Sequence, residues 1–307
     1  MPNGRAIDVS GLPSACGQPA DWIASMENTK QHVREFYDEV GWMQDTEGLF
    51  QNARYEDLRP VSREYIHRCH LRVNRHIARE GFCLLDAGSG PVQWPEYLTY
   101  SEGYRFRVCA DISITALRAA RGRLRDRGLY VVADIANLPF TSDAFDGVVS
   151  IHAIHHLPST EHQRAYRELH RVLRPGRTAV TVSGWYRPLL MRMGEPLIGL
   201  GRVLSGRSPK LKKDWRNEPA QEGTFVQRMT PGRLRAELNS LLQYEIFAWR
   251  SLSPRFMQWF VRPHMGGQAL LRLVYWLEEK FPRFFGEHGQ YPLIVIYKPG
   301  TSVTGRS

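Results

Sequence analysis

Residues 82–90 read Phe82-Cys83-Leu84-Leu85-Asp86-Ala87-Gly88-Ser89-Gly90, an apolar run that ends on an acid and breaks into a glycine turn. A short apolar run bounded by glycine reads as a buried strand. Glycine lets the backbone take positive φ and approach a ligand closely. The same pattern recurs downstream. YRFRVCADIS (104–113) is a second strand, and Ser113 is placed to cap the helix ITALRAARGRLRDRG (114–128). YVVADIANLPF (130–140) is a third strand with its exit loop, and FDGVVSIHAIHHL (145–157) is a fourth. Ser159 or Thr160 is expected to cap EHQRAYRELHRVLR (161–174), and Pro175-Gly176 stops that helix before a fifth strand, RTAVTVSG (177–184). Strands alternating with helices of this length imply right-handed crossovers and a mainly parallel sheet.

Outward from this core the pattern is less regular. Residues 1–28 read as a loose arm and 29–80 as a helical cap. In the cap, Thr29–Val40 suits a short helix ended by Gly41. Val61, Tyr65, Ile66, Cys69, Val73 and Ile77 recur at helical spacing in a longer helix, from about Val61 to Glu80. Residues 81–184 form the core and 185–223 an insertion. The core closes over 224–298, with a helix near Thr230–Leu242, a sixth strand YEIFAWRSL (244–252), a second insertion at 254–289 and a last strand QYPLIVIYKP (290–299). Residues 299–307 read as a tail.

Composition bounds the class. Of 307 residues, 42% are hydrophobic and 23% charged, which is ordinary for a soluble globular chain. The four cysteines form no CxxC pair, and Cys83 and Cys109 lie in strand-like runs that favour buried, reduced thiols. With no basic start followed by an apolar run, a cytoplasmic location is expected. The net charge of +10 is mostly arginine spread along the whole chain, which argues against a nucleic-acid stripe.

A dinucleotide fingerprint G-x-G-x-x-G would need glycine at 93, where Gln93 stands, and Pro91 follows Gly90 directly. No G-x-x-x-x-G-K-[ST] is present for phosphates. Asp111, at the end of the second strand, can accept both ribose hydroxyls of an adenosine. Asp134, beside Ile135, can accept from an adenine amino group. Acids at three successive strand ends suit a cationic ligand without phosphate, and S-adenosylmethionine fits that description.

LLDAGSG, CADIS, ADIANLPF, FDGVVSIHAIHHL and LHRVLRPGRTAVTV, in that order across residues 82–183, resemble the successive motifs of class I S-adenosylmethionine-dependent methyltransferases. They are most similar to the group containing the ubiquinone/menaquinone C-methyltransferases and many natural-product methyltransferases. The resemblance implies an α/β, Rossmann-like, doubly wound and mainly parallel seven-stranded sheet. N-terminal helices and helical insertions after the fifth and sixth strands would complete it. It implies S-adenosylmethionine as cofactor, S-adenosylhomocysteine as product, and no metal. The implied contacts are Asp86, Gly88, Ser89 and Gly90 around the methionine part, Asp111 and Ile112 at the ribose and adenine, Asp134 and Ile135 at the adenine, and Ile151 at the base of the site. Tyr37, in EFYDEVGW, resembles a Tyr-Asp element that closes over the cofactor; plain packing of a helix on the sheet is the alternative.

His155 and His156 follow the fourth strand, near where the methyl group would emerge. In the resembling group a histidine there can act as base, and His152 is a further candidate. One of the pair can instead simply pack the following helix. The acceptor is expected to be a small hydrophobic or aromatic metabolite, oxygen favoured by the histidines, with carbon and nitrogen open. WYRPLLMRMGEPLIGLGRVL and LVYWLEEKFPRFF would form its lid, or equally would only pack the insertions onto the sheet. The basic run Arg207–Arg216 reads as a solvated loop, a phosphate contact or a peripheral membrane contact. The rival readings are an RNA methyltransferase, which lacks support from a (D/N)PPY element, and a non-catalytic S-adenosylmethionine-binding protein.

Overall fold

The computed structural model describes residues 19–46, 48–193, 196 and 224–300. The expectations for the first eighteen residues, for most of the 185–223 insertion with its basic run, and for 301–307 lie outside the described residues. Seven strands form one sheet: β1 (Gly81–Ala87), β2 (Tyr104–Asp111), β3 (Gly128–Val132), β4 (Gly147–Ile151), β5 (Thr178–Val182), β6 (Gln243–Arg250) and β7 (Tyr291–Tyr297). Their order is β3-β2-β1-β4-β5-β7-β6. The first five run parallel, and β7 is antiparallel to both β5 and β6. This is the mainly parallel, doubly wound sheet that the alternation of elements required.

Period-2 geometry builds a core on each face. Leu85, Val148, Ala179 and Ile294 face one layer, packed under α5 (His162–Val172) and α6 (Pro231–Leu238). Their neighbours Leu84, Val149, Val180 and Val295 face the other, with Leu117, Ala120 and Leu124 of α4 (Ile114–Leu124). Full burial of each leucine contributes about 1.5–3 kcal/mol. A third cluster joins α2 (Pro60–His70) to α7 (Pro254–Phe260) and α8 (Gly267–Lys280) through Ile66, Met257 and Leu271.

Several boundaries differ from expectation. The first helix, α1, starts at Pro19 instead of Thr29 and ends at Phe36 in a wide turn over Tyr37–Gly41. The second stops at His70 and tightens into a 3-10 turn over Leu71–Arg75, because Arg72 turns inward to a buried acid. β3 ends at Val132; Asp134 lies beyond it in a turn closed by its own Oδ1, which accepts from Ala136 N at 2.9 Å. Ser113 caps α4 as expected, accepting from Ala116 N. Neither Ser159 nor Thr160 caps α5, whose N-cap is Glu161; the Ser159 N–H is drawn instead to Gln227 Oε1 at 2.6 Å. The second insertion is ordered as three helices, α7, α8 and α9 (Pro282–His288).

Candidate functional site

Parallel register brings the carboxyl ends of β1, β2 and β4 to one edge, with Asp86 opposite Cys109 and Val149. The turn after β1 has φ +70° at Gly88 and +53° at Gly90. A side chain at Gly88 would collide with the Ala153 methyl. One at Gly90 would meet the Trp42 indole at 3.1 Å. Ser89 turns its hydroxyl back to the Gly90 carbonyl. Val92 also has φ +53°, an uncommon state for a β-branched residue. Arg123 of α4 holds it there, donating to the carbonyls of Val92 (2.8 Å) and Gln93 (2.9 Å).

Asp111 is buried at the end of β2, next to this turn. Its carboxylate accepts Gly90 N–H at 2.8 Å and Ser113 N–H at 2.9 Å. Burial raises its pKa to about 6, partly offset by those two backbone hydrogen bonds. Ile112 follows it, and Ile135 is buried near the end of β3. Asp86 is buried too, and its Oδ2 accepts from Arg107 Nε at 3.0 Å. Arg107 is itself buried on β2, so the acid at the end of β1 sits in an internal ion pair. Asp134 is engaged by Lys30 Nζ at 2.6 Å, and the same ammonium reaches Glu161.

Lys30 belongs to the N-terminal segment, which lies across the strand ends. Asp38 accepts from Ser113 Oγ at 2.5 Å and from Thr115 N at 3.1 Å, at the start of α4. Tyr37 is buried and stacks on Trp42 with ring centroids 4.9 Å apart. The Trp42 indole N–H, buried beside Gly90, has no partner among the described residues. Tyr37 also meets His156 Nε2 at 2.9 Å. His156 Nδ1 lies 2.7 Å from the Phe225 carbonyl, which only accepts, so Nδ1 carries the proton and Tyr37 donates to Nε2. Burial lowers the His156 pKa to about 4, against the Phe225 hydrogen bond that raises it.

The other two histidines meet edge-on with ring centroids 6.0 Å apart but take different further partners. His155 meets Ser183 Oγ at 3.3 Å and borders a small enclosed void with Tyr166 and Met229. His152 has φ +59°, held by its N–H bond to Val182 O at 2.8 Å, and turns toward β6 and β7. Its ring meets Trp249 at 5.0 Å and Tyr291 at 5.4 Å, both edge-on. Burial, then the nearby Arg250, lowers its pKa to about 3. Ile151 precedes it, partly buried, at the end of β4.

Trp249 sits where β6 shifts register between Ala248 and Arg250. A bulge re-aims side chains, and here both Trp249 and Arg250 reach the same rings. The Arg250 guanidinium lies 4.7 Å from the Tyr291 ring and pairs with Glu56 at 2.6 Å. His70 of α2 stacks on Trp249 at 5.2 Å. Trp249 Nε1 and His70 Nε2 are buried without partners among the described residues. His70 Nδ1 faces Glu96, whose pKa drops to about 2: burial raises it, and hydrogen bonds from His70 and His67 outweigh that. Sequence reasoning missed Lys30, Trp42, His70, Arg107, Trp249 and Arg250 as site residues. Trp42 stood inside the quoted EFYDEVGW; the rest carry no local signal.

Against known proteins, residues 85–181 match the methyltransferase domain family model. The chain is 31% identical over 139 residues to the ubiquinone/menaquinone biosynthesis C-methyltransferase of Shewanella sp. strain ANA-3, covering 42% of this chain and 55% of that one. It thus spans about half the length of the curated relatives it matches. Among solved structures it resembles phosphoethanolamine N-methyltransferase 1 of Haemonchus contortus, with TM-score 0.54 and 11% identity, covering 92% of this chain and 51% of the other. It also resembles geranyl diphosphate C-methyltransferase of Streptomyces coelicolor A3(2), with TM-score 0.51 and 17% identity, covering 88% and 97%. Both were solved with S-adenosylhomocysteine bound. These structural likenesses speak to fold. The matched methyltransferase domain covers residues 85–181 of the chain.

The residues at the strand ends fit that family's cofactor. A buried carboxylate stands beside the glycine turn, isoleucines follow at 112 and 135, and an orphan indole N–H lies over Gly90. No group of three or more His, Cys, Asp or Glu among the described residues could hold a metal ion. No helix among them is long and apolar enough to cross a membrane.

Proposed function

We propose that the chain transfers a methyl group from S-adenosylmethionine to a small, hydrophobic or aromatic metabolite. The observation that carries the reading is the adjacency of two unlike sites: Ala153 touches Gly88 of the cofactor turn, and its neighbour His152 touches Trp249 and Tyr291. When bound, the cofactor supplies a methyl group on a sulfonium sulfur, which departs as a neutral thioether. Asp111 would take the ribose hydroxyls, with Ile112 and Ile135 against the adenine and Asp134 at its amino group once Lys30 gives way. Gly88, Ser89 and Gly90, with Asp86 behind them, would carry the methionine part, and Ile151 would floor the site.

The aromatic cluster of His152, Trp249, Tyr291 and His70 would form a wall of the acceptor site. Its orphan Trp249 N–H and His70 Nε2 favour a ligand with one or two polar atoms on an apolar body. Alignment and exclusion of water then supply most of the rate. For an oxygen acceptor, the candidate imidazole in this cluster is His152, which burial keeps neutral while weakening it as a base. His156, the second of the adjacent pair, has both nitrogens engaged and would orient Tyr37 over the cofactor. His155 faces Ser183 and would support the pair.

The test is direct. Calorimetry should detect S-adenosylmethionine and S-adenosylhomocysteine binding to the purified chain. Mass spectrometry of a metabolite extract incubated with chain and cofactor should then find one compound gaining a methyl group. Binding without any methylated product would leave a non-catalytic cofactor-binding protein in its place.

A further inference from the structure

Helix α8 is apolar on two faces. Its inner face, Leu271 and Tyr275, packs against Tyr65 and Ile66 of α2. Its outer face carries Leu270, Leu273 and Trp276, all exposed, with Trp276 and Leu273 each 54% accessible. Met265 before the helix is 83% accessible, and Phe281 and Phe284 beyond it are exposed as well. An amphipathic helix of a soluble domain turns polar residues outward, so six large apolar side chains along one surface mark a contact.

Charge names the partner. The acids of this insertion are all turned to cations elsewhere in the fold. Glu278 is buried against Arg72, Glu279 pairs with Arg72 and Arg75, and Glu287 pairs with Arg235. Arg255, Arg262, Arg272 and Lys280 are exposed and form no ion pair with a described residue. The apolar strip is therefore rimmed by uncompensated positive charge, on a chain of net charge +10. A second copy would bring like charge against like. An anionic bilayer surface offers phosphates to the rim and acyl chains to Trp276, Leu273 and Met265.

We infer that α8, with the turns flanking it, docks the protein onto an anionic lipid surface. The docking face and the aromatic cluster are one helix layer apart: α8 leans on α2, and α2 carries His70 to Trp249. The proposal does not depend on the methyl-transfer reading.

Co-sedimentation of the full chain with vesicles tests it. Phosphatidylcholine vesicles carrying about one third phosphatidylglycerol should pull the protein down at low salt, pure phosphatidylcholine far less, and added salt should release it. Leu273→Gln with Trp276→Gln should weaken this binding about tenfold or more at an unchanged thermal midpoint. Arg272→Gln with Lys280→Gln should abolish the preference for anionic vesicles. If the first pair disturbs folding, Met265→Gln with Leu270→Gln removes apolar surface from the same strip and should weaken binding likewise. A wild-type chain that stays in the supernatant with anionic vesicles at low salt overturns the inference. So do polar variants that bind as well as wild type. A concentration-dependent dimer in light scattering, dissolved by the same variants, would assign the face to a second copy instead.

Discussion

The two halves of the sheet meet the same edge with opposite chemistry. On the parallel half, β1 to β3 end on or near acids, and each acid is satisfied within the chain: Asp86 by Arg107, Asp111 by two backbone N–H groups, Asp134 by Lys30. On the antiparallel half, β6 and β7 present Trp249, Arg250 and Tyr291, and polar atoms there are left without partners. A carboxylate satisfied within the chain is fixed in place before any ligand arrives, as the proposed cofactor site needs. Orphan polar atoms among the aromatic rings are open to a ligand, as the proposed acceptor site needs.

The contrast can be broken most severely at Arg107. Arg107→Met leaves the Asp86 carboxylate buried without its partner, and unfolding by denaturant should show a loss of about 3–5 kcal/mol. A loss under about 1 kcal/mol would mean that Asp86 finds other solvation and that the parallel half is less fixed than argued.

Asp111→Asn asks whether the two halves bind separate ligands. Losing a charged acceptor should weaken S-adenosylmethionine binding by about 2–3 kcal/mol in calorimetry, with the fold kept. Equal binding by variant and wild type would remove Asp111 from the cofactor site.

The pH dependence sharpens the same point. Asp111 has its folded pKa raised from 3.8 to about 6. The folded chain therefore holds this proton more tightly than the unfolded one, and ionising the group costs stability as pH rises from about 4 to 6. Cofactor binding runs the other way, because the ribose needs the carboxylate. Affinity should fall up to about tenfold, or 1.4 kcal/mol, for each pH unit below about 6. His152 and His156, lowered to about 3 and 4, should add no change between pH 6 and 8. A histidine-like step near neutral pH in the turnover rate, with cofactor saturating, would contradict this burial picture.

The smallest effect belongs to the aromatic cluster. Trp249→Phe keeps an aromatic side chain but loses the indole N–H, so the KM for the acceptor should rise by the equivalent of about 1 kcal/mol while the cofactor Kd stays constant. An equal change in both constants would mean that the halves act as a single site.

Much of the parallel half was legible residue by residue. Leu84-Leu85 announces a strand buried on both faces, Gly88 and Gly90 announce a turn, and Ser113 announces the cap it supplies to α4. Each of these is a local property of backbone and side chain. The ends of α1 and α2, by contrast, were misjudged, because they depend on where Tyr37 and Arg72 find distant partners. Composition spread the arginines along the chain without separating buried from exposed ones, and Arg72, Arg107 and Arg250 lie in the core. Each is buried beside an acid far away in the chain, Glu278, Asp86 and Glu56 respectively. Nothing in the local pattern distinguishes them from surface arginines.

By itself, then, the sequence determined the order of strands and helices, the glycine turn and the family that the turn resembles. These follow from periodicity and from residues adjacent along the chain. Only the tertiary structure decided which histidine meets Trp249 and Tyr291, since His152, His155 and His156 lie within five residues, touch one another and take three different further partners. The positive φ at His152 and the β6 bulge at Trp249 set those partners. Both are backbone states imposed by packing between segments nearly a hundred residues apart, which periodicity along one segment cannot encode.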